Sequence, residues 1–150
     1  MKEYTSTIRD IITGDGFTVV HPVNLYECKF GEHCFVGPFV EIQKGVTIGN
    51  NTRIQSHCFI CELVIIGDDC FISHGVIFIN DTFQKGSPSW KPEEWKKTII
   101  GHHVSIGSNA TILPVEICNN VVIGAGSVVT RDIKKSGIYA GNPVKLIRNI

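Results

Sequence analysis

A period of six residues governs this chain. Steps of six from Phe30 reach Phe30, Val36, Ile42, Ile48, Ile54, Ile60, Ile66, Ile72 and Phe78, every one apolar. Only 43% of the chain is apolar, so the run reflects a structural period rather than composition. Four places after each of the first eight stands a small or β-branched residue: Cys34, Val40, Val46, Thr52, Cys58, Val64, Cys70 and Val76. Gly31, Gly37, Gly49 and Gly67 directly follow the large residue, at the point where a sharp backbone corner is expected. Neither a 3.6-residue helical period nor a two-residue strand alternation fits, whereas a short-period solenoid bending once per hexad does.

The same phase returns at Ile100, Ile106 and Ile112, with Gly101 and Gly107 following and with Val104 and Ala110 as small partners. From Ile112 the next step is five, to Ile117, before sixes resume through Ile123 and Val129, so one corner is read as shortened. If three hexads close one triangular coil, residues eighteen apart stack, placing Val36, Ile54 and Ile72 in one column and Ile42, Ile60 and Phe78 in another. About 14 hexads at ~4.8 Å per coil predict roughly five coils and a height of ~24 Å. Such a prism leaves little internal space, which directs the search for function to corners, loops and subunit contacts.

Lys plus Arg and Asp plus Glu both number 14, so no basic field is present to drive nucleic-acid binding. No apolar run approaches the ~20 residues of a bilayer span, and the polar start MKEYTSTIRD lacks a secretory apolar stretch. The expectation is a cytoplasmic protein without membrane insertion, folded as a single domain over residues 1–150.

Cys28, Cys34, Cys58 and Cys70 occupy the small inward position and read as core fillers. Cys58 and Cys61 form a C-x-x-C, but the repeat sends one inward and the other to a corner, and no second such pair completes a zinc site, so no metal is expected. His102 and His103 follow a corner glycine and read as solvated turn residues. His74 sits at a turn just before Val76 to Ile79 and the polar pair Asn80 and Asp81, a setting in which an imidazole can do chemistry.

Between Asn80 and Thr98 the repeat stops, and the intervening run carries two prolines and both tryptophans. A loop of that length inside a compact domain is usually functional, and the tryptophans argue for packing over a binding cleft. Phe59, Ile65, Phe71 and Ile77, one place before the inward series, read as an outward apolar stripe suited to a subunit contact.

The repeat [Ile/Val/Leu]-Gly-x-x-[small]-x over roughly residues 18 to 148 resembles the hexapeptide acyltransferases. Parallel crossovers are ordinarily right-handed, but the resemblance implies an all-β, left-handed parallel β-helix with one long loop at about 80–98 and a short C-terminal extension. The γ-class carbonic anhydrases share this architecture and bind a metal through three histidines between subunits; His57, His74, His102 and His103 do not match their spacing.

The tail VVIGAGSVVTRDIKKSGIYAGNPVKLIR is similar to the acyltransferase branch form VIGAGSVVTKDVPP, connector, AGNPAKVIR. That branch implies acetyl-CoA as co-substrate in a groove between neighbouring prisms of a homotrimer, with Lys145, Arg148 and Arg131 as candidates for its phosphates. Gly107, Gly124, Ala125 and Gly126 are the expected backbone contacts, since a corner without side chains admits a thin amide-bearing ligand. The run from Ile112 to Ile117 departs from the usual ILPGVxIG form by lacking its glycine.

SHGVIFINDTF, a long loop, then TIIGHHVSIGSNATILP resembles the sugar-nucleotide 3-N-acetyltransferases. The implied acceptor is a nucleotide-linked amino sugar used in surface glycan assembly, with Asn80 and Asp81 holding the amine and His74 accepting its proton. Two other readings stand beside it: an O-acetyltransferase acting on a sugar hydroxyl, and a non-catalytic β-helical scaffold.

Overall fold

The computed structural model describes residues 1–150, and it is a left-handed parallel β-helix of about seven turns. Its two- and three-residue strands form three sheets, which we call the first, second and third faces of a triangular prism. The inward column of the first face is Ile8, Leu25, Ile42, Ile60, Phe78, Ile112 and Val129. That of the second face is Thr13, Phe30, Ile48, Ile66, Ile100, Ile117 and Ile133. The third runs Val19, Val36, Ile54, Ile72, Ile106, Ile123 and Tyr139.

Both columns expected from the eighteen-residue spacing are present. Leu25, Ile42, Ile54, Ile60, Ile72, Phe78 and Ile112 are buried completely. Each such side chain contributes ~1.5–3 kcal/mol of burial, so the inner stack supplies most of the driving force. Cys28, Cys34, Cys58 and Cys70 fill the small inward sites as expected, and Cys61 is buried too, at the corner after Ile60. Burial pushes the Cys61 thiol up to about 12 and the Cys58 thiol to about 11, so thiolate chemistry is disfavoured at the C-x-x-C. The buried Thr52 hydroxyl donates to the Gly67 carbonyl at 3.0 Å and accepts from the Cys70 N–H, also at 3.0 Å.

Three expectations need correction. There are seven coils rather than five, about 29 Å between the end rungs at ~4.8 Å per coil. The first coil begins at Ile8, ahead of residue 18, and the five-residue steps Ile8 to Thr13 and Leu25 to Phe30 hide it from a count of sixes.

The corner glycines serve a different purpose from the one expected. The left-handed backbone lies two residues later, at His33, Phe39, Asn51, His57, Leu63, Asp69, His103, Asn109 and Asn120, and at Gly45, Gly75 and Gly126. Glycine directly after the large residue is needed because the next coil passes over it. A Cβ on Gly67 would stand 2.7 Å from the Gly101 carbonyl oxygen.

The outward residues Phe59, Ile65, Phe71 and Ile77 do not form one stripe. A step of six moves to the next face, so they lie on the first, second, third and first faces in turn, and only Phe59 and Ile77 are neighbours.

Irregularity is confined to one edge. Every inward step from the second to the third face and from the third to the first is six residues. From the first face to the second the steps are five, five, six, six, twenty-two, five and four, and the long insertion leaves here. We call this the loop edge, the corner between the second and third faces the polar edge, and the corner between the third and first the His74 edge. The chain ends in Gly137–Gly141, parallel on the third face, and Val144–Arg148, which turns back antiparallel to cover it. No helix is long and apolar enough to cross a membrane.

Gly67→Ala is expected to cost about 1–3 kcal/mol in urea unfolding through overpacking between coils. Asn120→Gly, at a left-handed corner, should change stability by less than about 1 kcal/mol. The opposite order would show that the corner, not coil contact, selects glycine.

Candidate active site

The His74 edge is a column of two-residue turns stacked coil on coil. Its first positions are His21, Pro38, Ser56, His74, Ser108 and Ala125, and its second positions are Pro22, Phe39, His57, Gly75, Asn109 and Gly126. Backbone bonds tie each turn to the next: Gly75 N–H to Ser56 O at 3.0 Å, Asn109 N–H to His74 O at 2.9 Å, and Gly126 N–H to Ser108 O at 2.8 Å. Side chains add a second tie, Ser73 Oγ to Ser108 Oγ at 2.8 Å. The exposed His74 ring is therefore mounted on a rigid ladder.

Its Nδ1 lies 2.8 Å from Ser56 Oγ. With Nδ1–H donating to that hydroxyl, the lone pair of Nε2 faces solvent. Sequence reasoning did not single out Ser56. The signal was available, because Ser56 precedes His74 by eighteen residues, which is the stacking interval.

The structure brings His74 onto the same edge as Gly107, Gly124, Ala125 and Gly126. Ala125 stands two coils above His74, about 10 Å along the axis. These four positions differ in what occupies the space beside them. A Cβ on Gly107 would be 2.5 Å from Ala125 N, and one on Gly124 would be 2.8 Å from Ala140 Cβ, so both glycines are required by packing. Gly126, at φ +68, has nothing within 4 Å of a would-be Cβ and leaves its backbone open to a ligand.

The three basic candidates are not gathered together. Lys145 pairs in register with Ala140, next to the top of the His74 edge, whereas Arg148 pairs with Ile138 farther across the third face. Arg131 follows Val129 on the loop edge.

Asn80 and Asp81 also lie on the loop edge. The strand Ile77–Phe78 separates them from His74, so within one chain the two groups occupy opposite edges of the first face, at most about 24 Å apart. Asn80 Nδ2 donates to Glu62 O at 3.4 Å, and the Asn80 backbone carbonyl accepts from Lys96 N–H at 2.9 Å. Both oxygens of Asp81 are committed to the loop: Oδ1 accepts from Phe83 N–H at 2.9 Å and Oδ2 from Ser89 N–H at 2.6 Å.

The insertion folds largely on itself around these groups. Ser89 Oγ donates to Glu94 at 2.6 Å, Lys85 pairs with Glu94 at 2.7 Å, and Trp95 Nε1 donates to Ser89 O at 3.1 Å. The Lys85 hydrogen bond, seconded by that from Ser89, lowers the Glu94 carboxyl. A cavity of about 380 Å³ is lined by the loop's own Asp81, Lys85, Ser89, Trp90, Lys91 and Glu94. Trp90 borders this cavity yet is 90% exposed, so the ring is not packed against the coils.

His102 and His103 stand on the polar edge as exposed turn residues. Asn50, Asp68, His102 and Asn119 cap successive backbone N–H groups there, at 2.8, 2.7, 3.0 and 2.8 Å.

Residues 27–62 match the bacterial transferase hexapeptide (six repeats), and residues 97–131 match the hexapeptide repeat of succinyl-transferase. The chain is 34% identical over 134 residues to the bifunctional protein GlmU of Clostridium perfringens, covering 89% of this chain and 26% of that protein. It thus spans about a quarter of the length of the curated relatives it matches. Among solved structures, the N-acyltransferase AntD from Bacillus cereus, in complex with dTDP and coenzyme A, superimposes with a TM-score of 0.71 at 23% identity over 95% of this chain and 82% of that one. Galactoside acetyltransferase in complex with coenzyme A gives 0.66 at 27% identity, over 95% and 66%.

Replacing Asp81 by Ala frees two loop N–H groups, and cleavage by trypsin after Lys85 should then be at least ~10-fold faster than in the parent. An unchanged rate would contradict the loop-holding role of this carboxylate.

The six-residue register, the stacked corners and the two matched segments together make the chain a hexapeptide-repeat β-helix whose repeats are similar to those of bacterial transferases.

Proposed function

We propose that the protein transfers an acetyl group from acetyl-CoA to the amino group of a nucleotide-linked sugar, working as a homotrimer in which neighbouring prisms share each site. The observation that carries this reading is the His74 edge, where an exposed imidazole oriented by Ser56 stands two coils below the open backbone of Gly126. Galactoside acetyltransferase and AntD, each in complex with coenzyme A, support the co-substrate, and the dTDP in the AntD complex supports a nucleotide-linked acceptor.

In this reading the pantetheine arm lies along the upper His74 edge, touching Ala125 and Gly126, and Lys145 meets a phosphate near the exit strand. The neutral amine attacks the thioester carbonyl carbon. Nε2 of His74 takes the amine proton as the C–N bond forms, and returns it to the departing sulfur as the C–S bond breaks. Ser56 accepts from Nδ1–H throughout and holds the ring in the required tautomer.

Because Asn80 and the loop that Asp81 organises lie on the opposite edge of the first face from His74, the sugar that this edge orients is presented to the His74 of a neighbouring prism. Arg131, on the same loop edge, reaches the cofactor phosphates only from that neighbour, and Arg148 only from the far side of the exit strand.

A second reading, O-acetylation of a sugar hydroxyl, draws support from galactoside acetyltransferase. Amine and hydroxyl acceptors offered side by side with acetyl-CoA separate the two, and failure of coenzyme A to bind at all would favour a scaffold.

His74→Asn should lower kcat about 10²–10⁴-fold, and near-normal turnover would remove the general base. When His74→Asn and Asp81→Ala chains, each inactive alone, are refolded together at equal ratio, about a quarter of the sites receive both intact groups in a shared-site trimer. Recovery of activity to about that level is expected, and no recovery would contradict sharing.

A further inference from the structure

The His74 edge continues for three coils below the imidazole, and its most unusual residue is Phe39. This side chain sits in the left-handed region at φ 61, where a bulky ring is strained, and it remains 57% exposed. Most other non-glycine corners of this kind carry Asp, Asn or His, which tolerate the conformation more readily. The ring stacks on His57 of the next coil, at 4.9 Å between centroids and 16° between planes.

Beside Phe39 lies a cavity of about 260 Å³, bounded by Ser6, Pro22, Asn24 and Glu41. It combines an apolar wall of Phe39, Pro22, Val23 and Val40 with hydroxyl, amide and carboxylate groups. That volume is too small for a whole nucleotide sugar but has room for one planar ring. A π-platform with hydrogen-bonding groups at its rim is the surface that recognises a nucleobase by stacking.

The position along the edge gives the site its meaning. Phe39 lies one turn below His57 and two below Gly75, so the platform is about 10 Å down the axis from the His74 corner. That is the reach of a ribose and a diphosphate. Gly126 lies a similar distance above.

We propose that Phe39, stacked on His57, is the base-binding platform for the nucleoside diphosphate of the acceptor. The edge is then one linear track, with the nucleotide entering from the N-terminal coils, acetyl-CoA from the C-terminal coils, and the sugar amine meeting the thioester at His74. Asn24 and Glu41 face the rim of the base, where Glu41 accepts from a ring N–H, and the one-ring volume favours uracil or thymine over guanine. This inference rests on the proposed acetyl transfer for its substrate, but the binding of a nucleoside diphosphate is measurable without catalysis.

Titration calorimetry with UDP and dTDP on the intact protein provides the test, with acetyl-CoA binding measured in parallel. Phe39→Ala should weaken nucleoside diphosphate binding at least ~10-fold and leave acetyl-CoA affinity unchanged, while Phe39→Trp retains both. If the Ala variant fails to fold, Phe39→Asn, which accepts the left-handed corner, replaces it. In turnover, the Ala variant should raise KM for a nucleotide-linked amino sugar and leave that for the free amino sugar unaltered.

Equal nucleotide affinity in parent and variant overturns the platform, as does absence of binding to the parent. A changed oligomeric state with unchanged nucleotide affinity would instead make Phe39 a subunit contact and overturn it equally. Nucleoside diphosphate binding that depends on Phe39 in a protein that acetylates no acceptor would leave the platform standing and defeat the proposed reaction.

Discussion

The hydrogen-bond ladder between successive coils is the constraint on which the rest of this molecule depends. Each short strand between the end coils is paired on both sides by strands one turn away, and a two-residue strand has no stability by itself. Residues one turn apart must therefore remain in register, which is eighteen apart wherever the corners are regular. Once that register holds, side chains at one corner position form a column along the prism. The columns, rather than any pocket, are the functional geography of the fold.

The three edges make different use of this rule. The polar edge spends its side chains on capping backbone N–H groups through Asn50, Asp68, His102 and Asn119. The loop edge absorbs every change in step length and releases the insertion that Asp81 organises. The His74 edge is strictly regular and carries the imidazole, the open glycine and the exposed Phe39. A regular edge holds reacting groups at fixed multiples of the coil spacing, which a variable edge does not do.

Much of the fold was legible in the sequence because its signal is a strict period of large and small inward residues, and each column follows from arithmetic. What escaped were features set by contact between coils. Gly67 is required by the Gly101 carbonyl above it, a neighbour thirty-four residues away because the insertion intervenes. Ile8 and Thr13 were missed as a first coil because two five-residue steps break the count. Ser56 is hidden from local sequence context because it meets His74 from one turn below, eighteen residues away. His74, Asn80 and Asp81 read as one group in the sequence, and that the imidazole and the polar pair lie on opposite edges of one face needed the closed prism.

A crystal structure of the protein with coenzyme A tests the account most directly. The pantetheine arm should run along the His74 edge past Ala125 and Gly126, with its sulfur within a few ångströms of Nε2 of His74. A coenzyme bound on the polar edge, or with its sulfur away from His74, would contradict the account.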